Sequence, residues 1–251
     1  IHGFQPLRRR ALVSIVVATT SWTTTTTERA KALSPEQAEK EYDAYARAYD
    51  RLDGGLASSM LGIDTARTEL LSKASGRVLE IGVGTGLNLD KYIGVSSLTL
   101  VDISDGMLAE AKAKVESIES LKNIPVSFVK ADATKERVGR FGPESFDTVV
   151  DSFSLCVMGN KGARDCLDQL ARVVKHAGGQ VLLLENSRSS NRMLAMYQDA
   201  TADAAASAGG KGCVYNQDVG AMIRETNQLR IVEERSYAAG GLFRSFQCTR
   251  T

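Results

Sequence analysis

The most regular feature of the chain is a series of short apolar runs that alternate with amphipathic stretches from about residue 76 to residue 185. Most of these runs are continuously apolar rather than alternating, which is typical of strands buried on both faces of a parallel sheet. The predicted strands are Val78–Ile81, Leu98–Val101, Val126–Val129, Thr148–Val150 and Val181–Leu184.

The stretches between the runs carry apolar residues at helical spacing. In SDGMLAEAKAKVESI the apolar side chains share one face, and Ser104 precedes them as a helix cap. ARDCLDQLARVV repeats the pattern, and we expect the glycines of HAGG, residues 176–179, to end that helix. Strand, helix and strand in succession predict right-handed crossovers and a doubly wound α/β sheet. Without a repeat or a linker, the chain is expected to form one domain over residues 34–251.

Further elements flank this core on both sides. Ser34 is expected to cap a helix that begins at Pro35 and ends at the DGG sequence of residues 53–55. Three aromatic side chains share one face of this helix: Tyr42, Tyr45 and Tyr49. A second helical stretch is predicted to about residue 73. Near the end of the chain, two β-rich runs around the glycines at residues 240–241 predict a hairpin.

The first 32 residues differ in composition from the rest, with five basic residues against one acid. The arginines at residues 8–10 precede the apolar run Ala11–Ala18, and a threonine run follows it. This layout is typical of a targeting signal, so we assign residues 1–33 to an N-terminal targeting or disordered segment. Because the chain begins at Ile1 rather than methionine, we also expect a preceding segment.

The apolar run in this segment is too short to span a bilayer core of roughly 30 Å as a helix. The segment resembles the second half of a bipartite organellar presequence of the kind that addresses chloroplast thylakoids. We therefore favour a chloroplast over a mitochondrion. A disordered tail and a weak membrane anchor stay open as alternatives.

Composition excludes several classes of function. The 251 residues carry a formal net charge of +1, so there is no global electrostatic basis for nucleic-acid binding. The four cysteines contain no CxxC pair and are interpreted as reduced thiols, and the chain has only two histidines. We therefore predict no metal site.

The segment RVLEIGVGTGLNLD, residues 77–90, carries the clearest candidate chemistry. Its glycines follow the first predicted strand, where backbone N–H groups can approach a ligand without an intervening Cβ. The GxGxxG fingerprint of dinucleotide-binding proteins fails because residue 87 is Leu87. Glu80, two residues before the first glycine, suits a ligand with a positive group and would repel a pyrophosphate. The alternative is a tight strand-to-helix turn that binds nothing.

Five segments together resemble class I S-adenosylmethionine-dependent methyltransferases over most of residues 40–250. VLEIGVGTG is similar to their motif I, LTLVDIS to motif II and VKADA to motif III. FDTVVDSFSLCVM occupies the motif IV position, and LARVVKHAGGQVLLLEN resembles the next helix-turn-strand unit. The resemblance implies a Rossmann-like seven-stranded sheet, mostly parallel, with an antiparallel strand in the C-terminal hairpin.

The same resemblance implies S-adenosylmethionine as the cofactor and assigns residues to it. Asp102 would accept hydrogen bonds from the ribose hydroxyls. Asp132 would lie beside the adenine amino group, with Ala131 and Ala133 against the ring. The full set of expected cofactor-binding residues is Glu80, Gly82, Val83, Gly84, Gly86, Asn88, Asp102, Ile103, Met107, Asp132, Ala133 and Ser152. We expect Glu80 to order the N–H groups of the glycine loop and to provide negative potential near the cationic end of the cofactor.

Within this superfamily the chain resembles enzymes that methylate small molecules. YDAYARAYDRLDGG is similar to the segment before motif I in quinone and lipid methyltransferases. DSFSLC, LLLENSRSS and GCVYNQD resemble segments of organellar, membrane-associated methyltransferase-like proteins, some of which methylate thiols. The chain has Asn186 where those relatives have histidine, which puts the role of that histidine in doubt here. The Asn-Pro-Pro-Tyr type signature of enzymes that methylate amino groups of DNA or glutamine in proteins is absent.

The resemblance implies displacement at a sulfonium methyl group, for which the enzyme mainly supplies proximity and alignment. A general base is needed only if the acceptor must lose a proton. The candidates are Asp151, Glu185, Tyr42 and Asp218, with Tyr49 as a further tyrosine. Ser152, Phe153 and Ser154 are expected to line the site, and Cys156 is interpreted as a core residue.

The sequence therefore predicts a methyltransferase that acts on a small-molecule acceptor of quinone, lipid or thiol type. Three alternatives stay open: a catalytically degenerate subunit with an assembly role in an organellar complex, an NAD-dependent oxidoreductase, and a nucleic-acid methyltransferase. Leu87 and Glu80 count against the second, and the near-neutral charge counts against the third. No nucleic-acid partner is expected. Peripheral association with a membrane or an organellar complex is kept open, and the free protein is expected to be a monomer.

Overall fold

A seven-stranded sheet forms the centre of the molecule. The computed structural model describes residues 32–52, 61–135, 138–208, 212–238 and 241–251. The strands are β1 Gly76–Ile81, β2 Val95–Asp102, β3 Val126–Lys130, β4 Thr148–Ser152, β5 Gln180–Asn186, β6 Leu229–Tyr237 and β7 Phe243–Arg250. Their order is β3-β2-β1-β4-β5-β7-β6, in which β1 to β5 are parallel to their neighbours in that group. Each of the five predicted parallel strands is present and extends a few residues further.

The C-terminal hairpin is confirmed by the pairing of the last two strands. β7 lies between β5 and β6 and is antiparallel to both. The chain therefore forms the mostly parallel sheet with an antiparallel C-terminal strand that the sequence predicts. The turn itself includes residues 239–240, which lie outside the described residues.

Six α-helices lie in the part of the chain that the structure describes. They are α1 Pro35–Leu52, α2 Ile63–Leu71, α3 Asp105–Ser117, α4 Leu155–Val173, α5 Arg192–Ala208 and α6 Val219–Glu225. The start of α1 is as predicted, because Ser34 Oγ accepts the Gln37 N–H at 3.2 Å while Gln37 Oε1 accepts the Ser34 N–H at 2.9 Å. Ser104 caps α3, accepting the Met107 N–H at 3.0 Å.

The bounds of α4 differ from the sequence prediction at both ends. It begins at Leu155, eight residues before ARDCLDQLARVV, and Gly159 interrupts it with φ 67° and ψ 176°. It ends at Val173, with Val174 already extended. The expectation that HAGG ends this helix is therefore wrong: Gly178 and Gly179 form the turn that leads to β5, where a Cβ on Gly179 would lie 2.3 Å from the Lys175 carbonyl oxygen.

Both faces of the sheet are buried, as the continuous apolar runs predict. Along β1, Leu79 packs into the cluster formed with α4 and α6, while Val78 packs into the cluster formed with α2 and α3. Both side chains are fully buried. Full burial of a leucine side chain is worth about 1.5–3 kcal/mol, so these two clusters supply the main stabilisation of the sheet.

The topology places a crevice at the carboxyl ends of the central strands. The strand order changes direction between β1 and β4, because β1 continues to β2 on one side and neighbours β4 on the other. Ligands of such sheets bind outside the carboxyl ends of the strands at this point. The glycine-rich segment follows β1 directly and therefore lies at this crevice.

The N-terminal targeting or disordered segment was predicted over residues 1–33, and residues 1–31 of it lie outside the described residues. Among the helices that the structure describes, none has the length and apolar character needed to cross a membrane.

Candidate active site

The glycine loop after β1 contains three glycines with left-handed backbones, of which Gly82 and Gly84 line the cavity. Gly82 has φ 60°, and a Cβ there would lie 2.5 Å from the Cβ of Ser154, so only glycine lets α4 start this close to β1. Gly84 has φ 55°, and a Cβ there would meet no atom within 4 Å. The loop is thus packed against protein at Gly82 and leaves free space at Gly84.

Asp102, at the end of β2, holds this loop in place. Its Oδ2 accepts the Gly84 N–H at 2.8 Å and its Oδ1 accepts the Ser104 N–H at 2.9 Å. The residue is 8% exposed, and burial raises the pKa of its carboxyl while the backbone hydrogen bonds oppose that rise. One carboxylate therefore positions both the glycine loop and the segment that enters α3.

Glu80 has a different role from the one expected of it. Its Oε1 accepts a hydrogen bond from Asn88 Nδ2 at 2.7 Å, and its Oε2 accepts one from the Tyr92 hydroxyl at 2.8 Å. The expectation that Glu80 orders the loop N–H groups is wrong, since both donors are side chains beyond the loop and Asp102 bonds Gly84 instead. Burial raises the pKa of Glu80 to about 7. Asn88 also donates to Ser152 Oγ at 2.8 Å, which links the ends of β1 and β4.

A cavity of about 400 Å³ lies in front of the glycine loop, at the carboxyl ends of the strands. Eight of the twelve expected cofactor-binding residues line it: Gly82, Gly84, Asp102, Ile103, Met107, Asp132, Ala133 and Ser152. The other four are not among its lining residues: Glu80, Val83, Gly86 and Asn88. Glu80 and Asn88 form the hydrogen-bonded layer behind the wall, Val83 is buried, and a Cβ on Gly86 would lie 2.3 Å from Leu89.

Asp132 provides an acceptor atom at the β3 side of the cavity. Its Oδ1 accepts the Thr134 N–H at 2.9 Å and the Thr134 hydroxyl at 2.7 Å. Its Oδ2 is buried and has no hydrogen-bond donor, although Lys135 Nζ lies 3.7 Å away. A buried acceptor of this kind suits a ligand that brings an amino group.

Helix α1 covers the cavity and is fastened to α3. Asp43 Oδ1 accepts hydrogen bonds from the Ser104 hydroxyl at 2.5 Å and from the Gly106 N–H at 2.9 Å. The Ser104 hydroxyl holds the pKa of the Asp43 carboxyl below its usual value. Tyr42 and Tyr49 line the cavity from this helix, whereas Tyr45 packs its ring edge-on against Tyr49, with 5.6 Å between centroids.

The segment before α1 contributes to the cavity wall and was missed by the sequence reasoning. Leu33 lines the cavity, and a Cβ on Gly212 would lie 2.6 Å from its Cγ. Ala32 lies against Gly159, because a Cβ added to Gly159 would be 2.5 Å from the Cβ of Ala32. These two residues, assigned from the sequence to the N-terminal segment, are packed between two glycines of the folded domain. Nothing in the local pattern marks them, because the glycines that receive them are distant in sequence.

Asp151 and Glu185, two candidate bases, are fully buried and do not line the cavity. Glu185 Oε1 accepts the N–H groups of Ser154 at 2.9 Å and Leu155 at 3.3 Å, and Ser154 Oγ donates to Asp151 Oδ1 at 2.6 Å. Asp151 Oδ2 and Glu185 Oε2 are buried without a hydrogen-bond partner. Burial raises the pKa of Asp151 to about 6, and burial together with the charge of Asp151 raises the pKa of Glu185 well above its usual value. The pair therefore supports the start of α4 rather than facing a ligand.

The third carboxylate candidate, Asp218, lies elsewhere. Its Oδ1 accepts the Ala221 N–H at 2.9 Å and caps α6. It lines a second cavity and is absent from the lining of the first. Of the four candidates, only Tyr42 faces the cavity in front of the glycine loop.

The cysteines also differ from the expectation of four reduced thiols. Cys156 and Cys213 form a disulfide, with 4.8 Å between their Cα atoms, while Cys166 and Cys248 are free and buried. The pairing arises because the Val214 N–H donates to the Cys156 carbonyl at 2.9 Å and fastens the segment after α5 to the first turn of α4. Asn186 Nδ2 lies 3.5 Å from the Cys213 sulfur, so the residue that replaces a histidine adjoins this disulfide.

The first turns of α4 form another part of the wall that sequence reasoning missed. Val157, Met158, Lys161, Gly162 and Asp165 line the cavity. The predicted helix begins only at residue 163, and the apolar run before it was assigned to motif IV. The neighbouring Phe153 and Ser154, which were expected at the site, do line the cavity.

Comparison with known proteins identifies the family. The family model described as a methyltransferase domain matches residues 78–178. Phosphatidylethanolamine N-methyltransferase of Cereibacter sphaeroides is 32% identical over 210 residues, which are 81% of this chain and 96% of that protein. Ubiquinone/menaquinone biosynthesis C-methyltransferase UbiE of Azotobacter vinelandii is 32% identical over 165 residues, 63% of this chain and 62% of that protein. The mitochondrial methyltransferase OMS1 of Saccharomyces cerevisiae is 25% identical over 207 residues, 77% of this chain and 42% of that protein.

Solved structures show the same fold. A SAM-dependent methyltransferase from Leishmania major superposes with a TM-score of 0.61 at 15% sequence identity, covering 85% of this chain and 82% of that one. The cavity lies at the strand ends where the sequence resemblance places the methyl donor, and its wall contains Asp102 and Asp132. The chain belongs to the class I S-adenosylmethionine-dependent methyltransferases.

Proposed function

We propose that this methyltransferase modifies an amphipathic small molecule of the lipid or quinone class, with a thiol as the third candidate class. The names of its relatives support the first two classes, since one acts on phosphatidylethanolamine and another in ubiquinone and menaquinone biosynthesis. The observation that carries the proposal is the cavity of about 400 Å³, which joins the glycine loop to the covering helix α1.

The residues of this cavity fit S-adenosylmethionine. Gly84 leaves open the space that a Cβ would fill, and the buried Asp132 Oδ2 lacks a hydrogen-bond donor. We propose that Asp102 accepts hydrogen bonds from the ribose hydroxyls and Asp132 from the adenine amino group. When bound, the cofactor supplies a methyl group already activated by the sulfonium, so the acceptor needs mainly correct alignment.

The covering helix α1 supplies two tyrosines to the proposed site. α1 covers the strand ends, and its Tyr42 and Tyr49 form part of the cavity wall. The faces of these two rings favour a cationic group, which suits the sulfonium end of the donor. Tyr42 is also our proposed proton acceptor for an acceptor molecule that must lose a proton, because Asp151, Glu185 and Asp218 do not line this cavity.

We further propose that the protein works in an organelle. Support comes from the composition of the N-terminal segment and from the mitochondrial relative in yeast. We retain the chloroplast as the proposed compartment, on the sequence of residues 1–33 alone. Fusion of this segment to a fluorescent protein tests the proposal, and a diffuse cytosolic signal would contradict it.

The proposed function is tested first by cofactor binding and then by methyl transfer to an acceptor. Calorimetry should show binding of S-adenosylmethionine and of its product S-adenosylhomocysteine. Methyl-labelled donor is then incubated with the protein and each of three acceptors: phosphatidylethanolamine vesicles, a prenylated hydroquinone in micelles, and an alkyl thiol. Label should enter one of the first two and be suppressed by added S-adenosylhomocysteine. Donor binding without label in any acceptor, or in an organellar extract, would contradict the proposal and favour a non-catalytic subunit.

A further inference from the structure

Two serines line the cavity beside the end of β4, and they use their hydroxyl hydrogens differently. Ser154 Oγ donates to Asp151 Oδ1 at 2.6 Å, so its hydrogen is engaged within the protein. Ser152 is half-buried, and its Oγ accepts a hydrogen bond from Asn88 Nδ2 at 2.8 Å. No residue that the structure describes accepts a hydrogen bond from the Ser152 hydroxyl. Ser152 therefore keeps a hydrogen that a ligand in the cavity can accept.

The direction of the bond between Asn88 and Ser152 is fixed by Glu80. Asn88 Nδ2 also donates to Glu80 Oε1 at 2.7 Å, while the Tyr92 hydroxyl donates to the other carboxylate oxygen at 2.8 Å. Turning the amide over would place its oxygen against this carboxylate. It would also move both amide hydrogens to the place of Asn88 Oδ1, which is buried and has no partner among the described residues. Ser152 must therefore accept from the wall and donate elsewhere.

The order of the strands places Ser152 at the end of the site that is farthest from Asp132. The strands run β3-β2-β1-β4, and the cavity residues at their ends are Asp132, Asp102, Gly82 and Ser152 in that order. In S-adenosylmethionine the ribose lies between the adenine and the sulfonium. With adenine at Asp132 and ribose at Asp102, as proposed above, the sulfonium extends toward the ends of β1 and β4. The Ser152 hydroxyl thus lies on the side where the methyl group is offered.

An aromatic side chain adjoins this hydroxyl. Phe153 follows Ser152 directly and lines the cavity, and Tyr42 and Tyr49 line it from α1. Phe153 has φ 56°, a left-handed conformation that is unfavourable for a bulky residue and occurs mainly where structure or function requires it. The wall therefore combines one free hydrogen-bond donor with ring surfaces, which suits a ligand that is itself a ring with a polar substituent.

A lipid amine fits this end of the cavity poorly. The buried acid pair at the ends of β4 and β5 does not line it. Asp165 lines the cavity but is paired with Lys161 at 2.6 Å, and Gly162, in the preceding turn, packs against Thr134 beyond β3. An ammonium group has no lone pair to accept the Ser152 hydrogen. A neutral amine that accepted it would occupy the lone pair that must attack the methyl group.

We propose that Ser152 donates a hydrogen bond to an oxygen of the methyl acceptor, and that this acceptor is an oxygen-bearing aromatic ring of the phenol or hydroquinone class. Such an oxygen accepts the bond with one lone pair and keeps another. Glu80 and Asn88 are positioning residues that act through Ser152. This inference rests on the proposed function and narrows its acceptor class from lipid amine, quinone or thiol to the aromatic ring.

The first test measures ring binding without turnover. 4-Butylphenol is titrated by calorimetry into protein saturated with S-adenosylhomocysteine. Ser152→Ala should weaken its binding about 3–10-fold, as expected for one neutral hydrogen bond. Ser152→Thr keeps the hydroxyl and should stay within about threefold of wild type. No binding to the wild type up to the solubility limit of the phenol would overturn the proposal.

Ser154→Ala is the matched control for this titration. Ser154 lines the same cavity, but its hydrogen is held by Asp151, so S154A should leave the affinity for 4-butylphenol within about twofold. In S152A the affinity for S-adenosylhomocysteine should also stay within about twofold. Equal weakening in the two serine variants would overturn the proposal. A loss of S-adenosylhomocysteine affinity in S152A, with phenol binding unchanged, would assign the hydroxyl to the methyl donor instead.

The second test asks whether Asn88 acts through Ser152. Asn88→Leu frees the hydroxyl to rotate and should weaken 4-butylphenol binding about two- to threefold in the wild-type background. In the S152A background the same change should have no further effect, because the hydroxyl that it orients is already gone. Equal losses in both backgrounds would show a merely structural role for Asn88. Asn88→Ser, which keeps a smaller polar side chain, takes its place if N88L does not fold.

The third test uses methyl transfer to separate the acceptor classes. Labelled donor is offered with a prenylated hydroquinone in micelles and with phosphatidylethanolamine in vesicles. Label should enter the hydroquinone, and S152A should raise its KM while kcat stays largely intact. Label in phosphatidylethanolamine alone would overturn this inference and leave the proposed function standing. A protein that does not bind S-adenosylhomocysteine, or binds it and labels neither acceptor, refutes the proposed function, while the phenol titrations still decide the role of Ser152.

Discussion

Two pairs of buried acids lie at neighbouring strand ends and differ in what surrounds them. Glu80 and Asp102 end β1 and β2, and Asp151 and Glu185 lie at the ends of β4 and β5. The four side chains are between 0% and 8% exposed. In the first pair both oxygens of each acid accept hydrogen bonds, whereas in the second each acid keeps one buried oxygen without a hydrogen-bond partner.

The difference shows that position at the strand ends does not by itself make an acid part of the ligand site. Asp102 lines the cavity, so it can bind a ligand while it orders the loop. Glu185 uses Oε1 for the first N–H groups of α4, and its Oε2 has no hydrogen-bond partner. Asp102 therefore belongs to the cavity wall, Glu80 supports that wall from behind, and the second pair connects a helix to the sheet.

The largest expected effect comes from breaking the second pair. Glu185→Ala leaves two backbone N–H groups without their acceptor, so we expect a loss of about 3–5 kcal/mol in the free energy of unfolding. Glu185→Gln keeps an acceptor for these N–H groups and should lose only about 1 kcal/mol. Urea unfolding of both variants measures the contrast. Equal losses would show that acceptance of the two N–H groups is not what stabilises the start of α4.

The second effect concerns Glu80 and pH. Burial raises the pKa of Glu80 from 4.5 to about 7, so the folded protein holds this proton more tightly than the unfolded chain. Stability from this group is therefore present at low pH and is lost as pH rises from about 4.5 to about 7, a change of about 3 kcal/mol. Glu80→Gln should remove this part of the pH dependence. Unfolding measured at pH 5 and pH 8 should show wild type losing more stability than E80Q, and parallel losses would contradict the assignment.

The third and smallest effect is on donor binding and sharpens the contrast between the pairs. Asp102→Asn keeps the shape of the side chain but loses one charged acceptor, so S-adenosylhomocysteine should bind about tenfold more weakly, and more weakly still in Asp102→Ala. Asp151→Asn is the matched control, because that acid does not line the cavity. Its donor affinity should stay within about twofold of wild type by calorimetry. A larger loss in D151N than in D102N would reverse the roles given to the two pairs.

The sequence predicts the parts of this molecule that depend on local pattern. Continuous apolar runs locate the five parallel strands because both faces of the sheet are covered. Motif resemblance locates Asp102 and Asp132 because Asp102 ends β2 and Asp132 lies two residues after β3. The sequence also predicts the N-terminal cap of α1, since Ser34 and Gln37 exchange hydrogen bonds within one turn.

Features that depend on distant contacts could not be predicted. The partners of Glu80 lie beyond the glycine loop, and the disulfide joins residues 57 positions apart. Asp151 is fully buried away from the cavity, whereas Asp102 lines it, although both are single acids at strand ends in the sequence. Arg67 has the appearance of an ordinary solvated cation on a short helix, and only packing shows that it is enclosed.

The packing of Ala32 and Leu33 between Gly159 and Gly212 sets a limit on maturation of the chain. A protease that removed a targeting segment by a cut before Ala32 would leave both residues on the domain. A cut at Pro35 would take away Leu33 and open the wall beside α4. The position of the new amino terminus, within three residues, would then decide whether this part of the cavity wall is present.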